Sequence, residues 1–269
     1  MQSHVVLIHG LWMTPLSWEQ WADRLRERGY TVHAPSWPRM DHSIDELRAD
    51  PGIVGGLGIQ EITDHHQRFI ESLDESPVII GHSVGGLVTQ LLLDRGAGRA
   101  GVAVHPGQTK RVYGLPPKQL KAAWPALGNP FNLNKGIPLT AKQFHWGFAN
   151  ALTEADALKA WQTFHVPAPA RPLFQAGLAN FTPRAVTKVD YHKQNRAPLL
   201  LLSGGLDRTV PSSVVKENAR RYKTGIVELK NYPDRSHFTV GEPGWEHVLD
   251  YAITWVERNP TTSTQPHRD

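Results

Sequence analysis

Short, uninterrupted apolar runs recur along the chain, separated by stretches whose apolar positions fall at helical spacing. Residues 5–8, 30–34, 78–80 and 100–104 read as strands, and roughly 16–28, 59–73 and 85–94 as helices, with Gly29 ending the first. The alternation resumes late, as strand 198–203, helix 212–222, strand 226–230 and helix 244–258. Strands that are apolar throughout are buried on both faces. With helices between them, they predict a parallel sheet covered on both sides.

The pattern breaks between residues 106 and 190. Prolines and aromatics crowd this stretch, and only 141–152 and 154–164 read as helices. The strands after it are needed to complete the sheet. The expected organisation is therefore a core of residues 1–105 and 191–259 interrupted by a lid of residues 106–190, with a polar, disordered tail at 260–269. Most aromatics of the insertion are expected to form its own core. If it covers a cleft, some must face inward; Trp146 and Phe148 are the candidates, with Trp12 and His105 from the core. The glycine-rich segment 52–58 lacks both phosphate-binding spacings and predicts a mobile loop.

Composition narrows the function. The 29 basic and 25 acidic residues give a net charge of only +4, and no dense basic block points to nucleic acid. There is no cysteine, so no disulfide frame and no thiolate metal site. Adjacent His65 and His66 would face different sides of a helix, so no metal site is expected there. No apolar run reaches membrane-spanning length, and none of the first residues reads as a signal peptide, which predicts a cytoplasmic protein without a membrane span.

Gly81-His82-Ser83-Val84-Gly85 carries the chemistry. A strand precedes it and a helix follows, the setting in which G-x-S-x-G forms a sharp turn that presents a serine hydroxyl. The helix N-terminus behind Ser83 offers free N–H groups to a developing oxyanion. A serine hydroxyl needs a base, and the base an orienting carboxylate. Asp207 follows the strand 198–203, where active-site residues of such sheets gather, and His237 follows the last strand. Asp234 lies in a turn expected to face solvent. Asp190 has no strand to position it, and His82 is expected to pack against the sheet. After the first strand, His9 supports a loop in which Gly10 lets the backbone approach Ser83. The N–H groups of Leu11 and Val84 could then converge on one oxyanion.

Together His9-Gly10, the Ser83 motif, Asp207 with Val210-Pro211, and His237 resemble the α/β-hydrolase family, specifically esterases and monoacylglycerol-lipase-like serine hydrolases. Members often open with two antiparallel strands, which this N-terminus is too short to hold, so about six nearly all-parallel strands are expected. The resemblance implies that Ser83 attacks an ester or lactone carbonyl, His237 relays the proton and Asp207 holds the imidazole, with no cofactor. Acyl transfer, perhydrolysis or cofactor-free oxygenation on the same site, or a slow-turnover ligand sensor, are the alternatives the fold allows.

Overall fold

The computed structural model describes residues 3–260, so the expected disordered tail lies, apart from Pro260, outside the described residues. Six strands form one all-parallel sheet: β1 (His4–Ile8), β2 (Thr31–His33), β3 (Val78–His82), β4 (Ala100–Val104), β7 (Leu199–Gly204) and β8 (Val227–Tyr232). Their spatial order is β2-β1-β3-β4-β7-β8. The short β5 (Gly136–Ile137) and β6 (Ala168–Pro169) pair antiparallel in a separate ladder between β4 and β7 in the chain. This is the parallel sheet that the apolar runs predict, with the six strands the resemblance implies.

The central strands β3, β4 and β7 are buried at every residue. Helices cover both faces. They are α1 (Glu19–Glu27), α3 (Ile59–Glu71), α4 (Val84–Asp94), α9 (Ser212–Arg221) and α10 (Trp245–Arg258), while the short α2 (Ile44–Ala49) packs on the turn Pro51–Val54 after it. Because the order reverses around β1 and β3, loops leaving the carboxyl ends of these strands meet at one edge of the sheet, where such folds place their sites.

Between β4 and β7 the chain forms α5 (Pro117–Leu127), α6 (Ala141–Gly147), α7 (Glu154–Phe164) and α8 (Arg171–Gly177). Only α7 has the bounds expected. α6 stops at Gly147 because the chain turns there to present the Phe148 carbonyl to Ser236 Oγ and Phe238 N. Segment 52–58 is not an open loop. It begins in a 3-10 turn, Pro51–Val54, seated against the insertion so closely that a Cβ on Gly136 would lie 2.0 Å from the Pro51 carbonyl oxygen. Among the described residues no helix is long and apolar enough to cross a membrane.

Candidate active site

Ser83 follows β3 and caps α4 with φ 56° and ψ −118°, a conformation that strains any residue but glycine. The turn is this tight because α4 must pack directly on the sheet. A Cβ on Gly81 would lie 2.1 Å from the Gly85 carbonyl oxygen, and one on Gly85 the same distance from that of Ile8. Gly10 lets the loop after β1 pass over the serine, since its Cβ would be 2.8 Å from Ser83 Cβ. Trp12, also at positive φ, ties this loop to the insertion: its indole N–H donates to the Ile137 carbonyl at 2.9 Å.

Ser83 Oγ lies 2.9 Å from His237 Nε2, and His237 Nδ1 lies 2.8 Å from Asp207 Oδ2. Serine, histidine and aspartate thus stand in one hydrogen-bonded line, with His237 and Asp207 fully buried. Asp207 leaves β7 through Gly204-Gly205. Side chains there would strike the loop that carries His237, since Cβ atoms would lie 2.3 Å from the Arg235 carbonyl oxygen and 2.4 Å from that of Pro233. Asp207 Oδ1 accepts from Thr209 N and Val210 N, both at 2.8 Å. Burial alone would raise this carboxyl. The adjacent His237 and the hydrogen bonds from His105 and His237 outweigh it and hold the group well below the usual carboxylate range.

His105 corrects an expectation. It is not among the lining of the cavity at Ser83: its side chain is fully buried, with Nδ1 2.7 Å from the same Asp207 Oδ2 that faces His237. Phe148 is likewise not among the lining of the cavity at Ser83. Its ring meets the His237 ring edge-on at 4.5 Å because the end of α6 turns it inward. His82 does more than pack on the sheet, since Nε2–H donates to the His237 carbonyl at 2.8 Å. Burial, reinforced by His237 and His105, drives its basicity well below the ordinary histidine value, so it stays neutral. His9 donates from Nδ1 to the Gly10 carbonyl at 2.9 Å and stacks on Trp37, a supporting role in the loop.

One residue of the site escapes sequence reading, and for His105 it is the role that does. Glu242 is buried behind the His237 loop, where its carboxylate accepts from Ser236 Oγ and from Ser236 N at 3.2 Å. Burial raises its carboxyl, with the Ser236 hydrogen bonds opposing. No spacing marks a lone glutamate in a loop. His105 had a signal, its place at the carboxyl end of a central strand, but a sequence does not show which way it turns.

His105, Asp207 and His237 form a cluster of metal-ligating types. Their nitrogen–oxygen separations, 2.7 and 2.8 Å, are those of hydrogen bonds. Tetrahedral zinc ligands at ~2.1 Å from the ion would stand about 3.4 Å apart. The residues present do not fit a metal.

A cavity of about 80 Å³ opens on Ser83. Leu11, Trp12 and Val84 line it beside the serine, and Leu120 and Ala123 of α5 with Leu173 and Ala176 of α8 close it from above. Among the described residues no backbone hydrogen bond engages the N–H of Leu11 or Val84. Trp146 does not reach this cavity. It lies in neighbouring surface grooves, held at 4.2 Å from Lys121 Nζ and 5.1 Å from Arg208 Cζ.

The chain belongs to the alpha/beta hydrolase family, which it matches over residues 5–245. No curated protein sequence matches it. Similar solved structures include the monoacylglycerol lipase of Paleococcus ferrophilus, at 21% identity and a TM-score of 0.64 over 95% of each chain. A methylesterase from Arabidopsis shares 13% identity and a TM-score of 0.67, over 95% of this chain and 99% of that one. A pyrethroid hydrolase from Sphingobium faniae shares 16% identity and a TM-score of 0.62, over 96% of this chain and 98% of that one. At such identities the likeness shows the fold.

Proposed function

We propose that this hydrolase cleaves small carboxylic esters or lactones through an acyl-enzyme formed on Ser83. The observation that carries the reading is the line from Ser83 Oγ through His237 to Asp207, standing at an apolar cavity. The neighbours whose names mark them as a lipase, an esterase and a pyrethroid hydrolase agree with it.

His237 Nε2 takes the serine proton as Oγ attacks the carbonyl carbon. Asp207, its charge fixed by four hydrogen bonds, holds Nδ1–H and stabilises the imidazolium. The N–H groups of Leu11 and Val84 receive the oxyanion, helped by the N-terminus of α4. The imidazolium then protonates the leaving alcohol. Water, deprotonated by His237, releases the acid and restores the serine. Residues 106–190 serve as the lid, since α5 and α8 roof the cavity. The cavity volume, about 80 Å³, is near half the ~150 Å³ that holds a benzene ring, so the part of the ester that enters is short.

A fluorophosphonate probe should label the protein at Ser83, and Ser83→Ala should abolish both labelling and release of nitrophenol from a short-chain nitrophenyl ester. Folded protein that neither labels nor turns over would sink the reading.

A further inference from the structure

Between Asp94 and Glu154 the chain carries no acidic residue, while eight are basic: Arg95, Arg99, Lys110, Arg111, Lys118, Lys121, Lys135 and Lys142. The fold gathers part of this charge at one point. Lys121 of α5 and Arg208, next to Asp207, both lie over the Trp146 ring, at 4.2 and 5.1 Å from its centroid. Lys142, one turn before Trp146 on α6, lines the grooves on either side of it, of about 590 and 460 Å³. Among the described residues none of these three cations has a carboxylate partner. Among the described residues Glu154 is the one acidic side chain lining either groove. The smaller groove shares Ala122 with the cavity at Ser83, so the cationic surface adjoins the proposed reaction centre.

We propose that the Trp146 surface, through Lys121, Lys142 and Arg208, binds the carboxylate of an anionic ester whose short, uncharged end enters the cavity at Ser83. The inference rests on the esterase reading and names a substrate class for it. An ionised group loses too much hydration to enter the apolar cavity, so it must stay outside. There the indole holds cations that repel one another until an anion arrives. Beside a low-dielectric mouth, such a field also concentrates anionic substrate and raises its rate of capture.

The test compares 4-acetoxybenzoate with its neutral analogue 4-acetoxyacetophenone, each rate normalised to hydroxide-catalysed hydrolysis. At low salt the normalised kcat/KM should favour the anion about tenfold. The ratio should fall toward one at about 0.5 M salt, where the Debye length drops to ~4 Å, and in the double variant Lys121→Gln/Lys142→Gln. A ratio near one at low salt, or one the double variant does not move, overturns the proposal. A second arm needs no turnover: calorimetry of 4-hydroxybenzoate with Ser83→Ala protein should show binding that weakens when Lys121→Gln/Lys142→Gln is added. Absence of binding overturns the subsite as well. If neither ester gives Ser83-dependent phenol release, the esterase reading falls, and the calorimetric arm still decides the subsite.

Discussion

At the residue scale the unusual feature is a carboxylate shared by two histidines. Asp207 Oδ2 lies 2.7 Å from His105 Nδ1 and 2.8 Å from His237 Nδ1, in a fully buried setting. Without His105, one lone pair of a buried carboxylate loses its donor, and Asp207 is freer to turn away from His237. Hydrogen bonds to charged groups contribute ~1.5–3 kcal/mol, part of which should appear in the transition state. His105→Leu is therefore expected to lower kcat about tenfold with KM little changed, since 1.4 kcal/mol is a factor of ten. His105→Asn is the informative partner. Its Nδ2 stands at the same number of bonds from Cβ as the histidine Nδ1, and asparagine tolerates the positive φ of 47° found here. Steady-state kinetics should show Asn near wild type and Leu impaired; equal rates in both variants would mean that the bond to Asp207 does not matter for turnover.

At the scale of elements, legibility followed the physics of burial. Central strands buried on both faces must be apolar at each position, so β3, β4 and β7 stood out in the sequence, as did α4 behind the serine. The same strand ends point to Ser83, Asp207 and His237, and in the structure His237 hydrogen-bonds to each of the other two. The insertion was opaque because its prolines read as breakers. In α5, Pro116 and Pro117 occupy the cap and first turn, where no N–H is needed, so they start the helix. Trp146 and Phe148, two residues apart on either side of a helix end, point to different surroundings, and composition carries no record of that. The glycines of the Ser83 turn allow a direct test of packing. In Gly85→Ala the new methyl would meet the backbone oxygens of Ile8 and His9 at 2.1 and 2.6 Å, and backbone cannot rotate away. A loss of about 3 kcal/mol or more in denaturant unfolding is expected. Gly177→Ala, at the end of α8 with nothing within 4 Å of the added Cβ, should instead gain ~0.4–1 kcal/mol. Comparable losses in both would show that the close approach of α4 to β1 is not what the glycine serves.

At the scale of the whole molecule, buried neutral histidines tie stability to pH. Burial pushes His9 down to about 3, against the pull of its bond to the Gly10 carbonyl, and His66 on α3 down to about 4, against its bond to Ile62. His82 is lowered in the same direction by burial and its histidine neighbours. In the unfolded chain each would titrate near 6.5. As pH falls from 6.5 toward 4, the unfolded state binds three protons that the native state refuses, so stability falls with pH. Each proton is worth ~1.4 kcal/mol per pH unit once the unfolded group is charged. Glu242 acts in the opposite sense: its carboxyl is raised above 4.5, so the native state holds a proton that the unfolded state has lost as pH rises past that value. Glu242 thus offsets part of the histidine slope, and what remains near pH 5, at ~1.4 kcal/mol per pH unit for each unbalanced proton, is large against a typical stability of ~5–15 kcal/mol. Denaturant titrations at pH 7, 6 and 5 should show a fall concentrated below pH 6.5. His66→Met, close in volume and unable to titrate, should remove about one proton from that slope. A stability constant from pH 7 to 5 would mean that these histidines gain solvent or partners in the folded protein, and that the packing around His9, His66 and His82 is looser than their burial implies.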